Sequence, residues 1–139
     1  MPCADLRRVA AEVQLPALPG EYISHNYDIV SGMAKGIDSY AHTACIKAAG
    51  YTVAVVASGL DICYPSEHLK LMESIIDNGV IISEYPPQTS PAKYRFPQRN
   101  RLISALSDEV VIIGASKGSG ALITAEYARK YDKMVKMIQ

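Results

Sequence analysis

The chain has 139 residues, 49% of them hydrophobic, which suits a single globular domain with a buried core. Fourteen Lys and Arg balance fourteen Asp and Glu, so attraction to a polyanion has to come from a local patch, because the chain as a whole carries no net charge. Cys3, Cys45 and Cys63 are odd in number, far apart and without a CxxC pair, a pattern that reads as incidental or buried thiols in a reducing cytosol before a metal or disulfide role.

The opening MPCADLRRVAAEVQ lacks the apolar centre of a signal peptide, and no apolar run approaches the roughly 20 residues that span a bilayer. The expectation is a soluble cytoplasmic protein with no membrane partner. Leu6, Val9, Ala10 and Val13 fall at i, i+3, i+4 and i+7, which predicts a short amphipathic helix over residues 5–14. Pro16, Pro19 and Gly20 then predict an irregular connection up to residue 26. A short strand is expected from Tyr27 to Val30, a helix from Ile37 to Ala49, and a strand at TVAVVA, residues 52–57, apolar enough to be buried on both faces of a parallel sheet. Ser66 is placed to cap a helix running to about Asn78, with Gly79 as its stop and Glu67 near its positive end. A strand at residues 80–82 follows, then a Pro-rich loop over 84–97, a helix from about Gln98 to Leu106, a strand VVII at 110–113, a helix from about Ser119 to Tyr131 and a last strand within 133–138. This alternation predicts an α/β fold: a doubly wound, mainly parallel sheet with helices on both faces.

In such a sheet ligands bind beyond the carboxyl ends of the strands. Three loops there carry chemistry. SGMAKGID, residues 31–38, combines Ser31, Gly32 and Gly36 with Lys35 ahead of a helix, a pattern suited to phosphate or to a tight structural turn. GASKGSG, residues 114–120, repeats that design with Lys117, Ser119 and Gly120. FPQRNRLIS, residues 96–104, ends a window without acidic residues between Glu84 and Asp108 that gathers Lys93, Arg95, Arg99 and Arg101. Its arginines can fork onto phosphate and Phe96 or Tyr94 can stack on a base, or the arginines pair with Glu84 or Asp108 and Phe96 enters the core. Asp38 and His42, at i and i+4, read as a helix-face hydrogen bond before an acid/base couple, and Glu84 as a structural partner of the arginines. No nucleophile elbow and no metal-ligand spacing is present.

The stretches VSGMAKGID with Ala41 and His42, SGLDICYPSEH, ISEYPP, FPQRNRLISALS and GSGALITAEYA, in that order, resemble the DNA-processing protein A family (DprA, also called Smf) from about Tyr27 to Met134. The resemblance implies a Rossmann-like domain that binds single-stranded DNA, forms homodimers and helps load a RecA-type recombinase during natural transformation. It implies no cofactor and no hydrolytic or transfer activity. Carried over, the DNA contacts would be Ser31, Gly32, Lys35 and Gly36; Lys93, Phe96, Arg99, Asn100 and Arg101; and Lys117, Ser119 and Gly120. Members carry a strand and helix ahead of VSGMAKGID and continue beyond Val135. Residues 1–26 match poorly and the chain stops at Gln139, so the expectation is a family domain over 27–139, truncated at both ends and lacking one edge of its sheet, an edge that would favour association. Two alternatives remain open: a nucleotide-processing enzyme of the lysine-decarboxylase-like phosphoribohydrolase type, with Glu126 as its acid, and a non-functional fragment.

Overall fold

The computed structural model describes residues 8–12, 28–114 and 118–138. Strands β1 (Arg8–Glu12), β2 (Asp28–Ser31), β3 (Thr52–Val55), β4 (Gly79–Ile82), β5 (Glu109–Ile113) and β6 (Met134–Ile138) lie in one sheet in the order β4-β3-β2-β1-β5-β6. Every neighbouring pair is parallel. The chain steps outward from β1 to β4, then returns across the sheet to place β5 on the other side of β1. Among the described residues four helices, α1 (Ile37–Lys47), α2 (Leu69–Asn78), α3 (Arg95–Ala105) and α4 (Gly120–Lys130), lie between successive strands from β2 to β6, and the result is the doubly wound α/β architecture that the alternation predicted.

Alternate strand residues serve opposite faces, as the period of two requires. Ile29, Val111 and Ile113 pack with Ile37, Ala41 and Cys45 of α1, and Ala54 and Val56 pack with Met33 and with Met72 and Ile75 of α2. On the other face Val30, Val53, Val55, Val110 and Ile112 meet Ile103 of α3 and Ala121, Ala125 and Ala128 of α4. Those three alanines form a small-residue stripe along α4. Beside it, buried Ser104 of α3 donates to the carbonyl of Thr124 at 2.7 Å.

Three expectations are corrected. The helix over residues 5–14 is a strand where it is described: Arg8–Glu12 forms β1, paired with β2 through Arg8↔Asp28 and with β5 through Val9↔Glu109. Two ladders decide the conformation, because the apolar spacing of RVAAE suits a strand with a neighbour on each side as well as it suits one face of a helix. The strand that seemed to be lacking ahead of residue 27 is therefore present in the interior of the sheet, and β4 and β6 are its edges. Ser66 does not cap α2. Residues Ser66–His68 form one 3₁₀ turn, closed by the His68 amide on the Pro65 carbonyl at 3.0 Å, and α2 starts after it. Helix α3 begins at Arg95, three residues earlier than expected, since Pro97 sits in its first turn, where no intrahelical N–H is required. Among the described residues no helix is long and apolar enough to cross a membrane.

Candidate nucleic-acid interface

The loop after β2 is held from inside. Asp38, in the first turn of α1, turns back so that Oδ2 accepts the N–H groups of Gly32 (3.0 Å) and Ala34 (3.1 Å). His42, one turn further on, accepts the Met33 N–H at Nε2 (3.3 Å). Its Nδ1 lies 2.6 Å from Thr52 Oγ1, which itself donates to the Ile29 carbonyl at 3.0 Å. Because the threonine proton is used on Ile29, the histidine proton must be on Nδ1, and the ring is the neutral tautomer that leaves Nε2 as acceptor. Burial is the main cause that pushes the His42 pKa from its ordinary 6.5 down to about 3, with the charge of Arg99 and then His68 adding to it. Asp38 and His42 thus grip the same loop instead of each other, a difference from the helix-face pair read in the sequence. Met33 adopts a left-handed φ of 60° although it has a side chain, and its carbonyl accepts His68 Nδ1 at 2.9 Å. Three successive amides, from Gly32 to Ala34, are satisfied by protein side chains.

Arg99 lies beneath this loop. Only 4% exposed, it donates from Nη1 to the carbonyls of Gly32 and Val55, both at 2.8 Å, and from Nε to Oδ1 of Asn100 at 2.9 Å. Burial raises the pKa of Asp38, and the charge of Arg99 is the largest influence opposing that rise. The absence of a Cβ at Gly32 lets the guanidinium approach: a Cβ built there would stand 2.4 Å from Nη1. Asn100 continues the chain of contacts by donating to the Gly120 carbonyl at 3.5 Å. That carbonyl opens α4, where Ser119 occupies the N-cap position with extended backbone.

Above these buried groups a cavity of about 320 Å³ opens at the carboxyl ends of β2 and β3, with Lys35, Val56, Ser58, Tyr64, Phe96 and Arg99 among its walls. Tyr64 and Phe96 face each other with ring centroids 5.8 Å apart and planes tilted by 47°. The Arg99 guanidinium stands 5.5 Å from the Phe96 ring centroid. At the mouth, Lys35 is exposed and paired with Glu67 at 2.5 Å. Further along, Lys93 is exposed, and Arg95 lies between the rings of Tyr94 and Tyr85, at 4.8 and 5.5 Å. Arg101 pairs with Glu84, as the sequence suggested for that carboxylate.

The fold therefore brings Gly32, Lys35, Phe96 and Arg99 to one cavity and ties Asn100 to the start of α4 at Gly120. Ser31 and Asn100 have buried side chains. Gly36, at φ 90°, is the residue that enters α1. Lys117 lies outside the described residues. Glu126, on which the enzymatic alternative rests, is exposed on α4. Sequence reading did not single out Ser58 and Tyr64. Their signal was the same one used for the other loops, a glycine- and proline-bearing segment directly after a strand, here SGLDICYP after β3.

A family model described as DNA recombination-mediator protein A matches residues 10–139. Protein Smf of Synechocystis sp. is 44% identical over 113 residues, 81% of this chain and 28% of that protein. DNA processing protein DprA of Bacillus subtilis is 42% identical over 118 residues, 85% of this chain and 40% of that protein. The chain spans less than half the length of either relative. Among solved structures, DNA processing protein A from Streptococcus pneumoniae superposes with a TM-score of 0.81 at 36% identity, covering 96% of this chain and 50% of that one. DNA processing protein A from Helicobacter pylori, described for its single-stranded DNA binding mode, gives 0.84 at 33% identity, covering 94% and 64%. A molybdenum cofactor binding protein from Rippkaea orientalis, 16% identical with a TM-score of 0.63, shares the fold alone.

Proposed function

This chain belongs to the DNA recombination-mediator protein A family, and from that premise we propose that it is a single-stranded DNA-binding module of DNA processing in natural transformation. The observation that carries the reading is the cavity whose wall includes the adjoining rings of Tyr64 and Phe96, with exposed Lys35 also lining it. A cavity of about 320 Å³ admits a nucleobase, which an aromatic wall can stack irrespective of its identity. Only an unpaired strand offers such a base. Phosphates on either side then meet Lys35, Lys93 and Lys117, with Gly36, Arg101, Ser119 and Gly120 along the strand's path. Ser31, Gly32, Arg99 and Asn100 act from below, by shaping the loop and the cavity floor.

Pairing with a second copy, delivery of the strand to a RecA-type recombinase and action in the cytoplasm belong to the same proposal. The test is affinity for an oligothymidylate and for a duplex of equal length across a salt series. Single-strand binding tighter than duplex binding, weakening steeply with salt, is expected. Failure to bind the single strand at low salt overturns the reading.

A further inference from the structure

Lys35, which lines the cavity, is met by Glu67 from a different segment: the lysine stands in the turn after β2 and the glutamate in the 3₁₀ turn before α2. Their charged atoms are 2.5 Å apart, with the side chains 72% and 54% exposed. The pair is mutual: a hydrogen bond from Lys35 is the first cause lowering the pKa of Glu67, and the bond to Glu67 is the first cause raising that of Lys35. The next residue, His68, is bonded to the Met33 carbonyl. The backbone beneath Glu67 is thus tied to the loop that carries Lys35, and the carboxylate is kept in reach.

A carboxylate and a phosphodiester each offer an ammonium group an anionic oxygen that accepts a charge-assisted hydrogen bond. Building on the single-strand reading above, we infer that Glu67 is an internal competitor for nucleic-acid phosphate at Lys35 and thereby limits the affinity of the cavity for single strands. Asp38 plays no such part, because it is buried on backbone amides. Glu84 holds Arg101 in a similar way, but neither of those residues lines the cavity. An incoming strand exchanges Glu67 for phosphate on Lys35, and the released carboxylate turns to water. Since the pair is exposed, its removal changes affinity by about two- to fivefold, in keeping with surface ion pairs, and not by orders of magnitude.

The test compares wild type, Glu67→Gln, Lys35→Gln, the double variant and Glu73→Gln by anisotropy of a labelled oligothymidylate at low salt. Glu73 is an exposed acid on α2, so its variant measures the general effect of removing one negative charge. Glu67→Gln is expected to bind about threefold tighter than Glu73→Gln, with a slope of log K against log salt steeper by about 0.7. In the Lys35→Gln background the gain disappears. If wild type binds and Glu67→Gln binds no tighter than Glu73→Gln, or if the gain persists without Lys35, the inference is overturned and the single-strand reading stands. If neither wild type nor Glu67→Gln binds, both fall together.

Discussion

The guanidinium of Arg99 lies against the Cα of Gly32, so close that a Cβ there would stand 2.4 Å from Nη1 and 2.6 Å from the guanidinium carbon. Arg99 cannot swing aside without cost, because the same nitrogen donates to the carbonyls of Gly32 and Val55. Gly32→Ala is therefore expected to destabilise the chain by about 3 kcal/mol, the upper end of overpacking costs, with the displaced hydrogen bonds adding to the steric term. The shift of the urea midpoint at unchanged m-value measures it.

Removing the cation has a different signature from displacing it. Arg99→Met leaves Asp38 buried without its compensating charge, and a loss of about 3–5 kcal/mol is expected. Asp38→Asn in the same chain returns part of that loss, since an amide oxygen can still accept from Gly32 and Ala34 while no buried charge is left. A double-mutant cycle in urea gives the coupling directly.

Acid sensitivity should trace to His42. Folded, it titrates near 3, against an ordinary 6.5, so between those values the unfolded chain binds more protons. The stability that neutral His42 contributes is complete above about pH 6.5 and is lost as pH falls towards 3, by about 1.4 kcal/mol per pH unit at most. From pH 7 to 5 the loss amounts to about 2 kcal/mol. Asp38 acts in the opposite sense: its folded pKa is raised, so its contribution is present in acid and is lost as pH rises through that value. His42→Asn removes the first dependence and keeps the second. The difference between the two slopes of urea midpoint against pH isolates the histidine.

Much of this architecture could be read from the residues, and the exceptions have a common cause. The runs TVAVVA and VVII bury both faces of a parallel sheet and announce themselves. Gly79 marks the end of α2, and SGMAKGID sits where a ligand loop belongs. By contrast, RVAAE is compatible with two periods, and the outcome depends on ladders to β2 and to the distant β5. Arg99 and Arg101 look equivalent in the sequence. One is buried and one is not, because only Arg99 faces Asp38 and the bare Cα of Gly32, both on segments far away in the chain. Local pattern identified the loops. Which side chains stay exposed at the cavity and which are tied into the fold is fixed by contacts between them.

For the single-strand reading, Phe96 and Lys93 should separate stacking from charge. Phe96→Ala removes one aromatic wall of the cavity and is expected to weaken oligothymidylate binding by about 2 kcal/mol, roughly thirtyfold, with an unchanged salt slope. Lys93→Gln is expected to weaken binding less at moderate salt and to reduce the slope by about 0.7. Titrations of both variants at several salt concentrations check the two signatures together.

The chain also contains its own spectroscopic gauge. Met33 is fully buried at the apex of the loop gripped by His42 and His68, whereas Met134 and Met137 are 62% and 48% exposed on an edge strand. With ¹³C-labelled methionine methyl groups, the Met33 resonance, told from that of buried Met72 by a Met33→Leu variant, should stand apart from the signals of exposed Met134 and Met137 and shift whenever a strand, an acid titration or a substitution disturbs that loop. Occupancy of the cavity could then be followed by one methyl line, without a label on the nucleic acid.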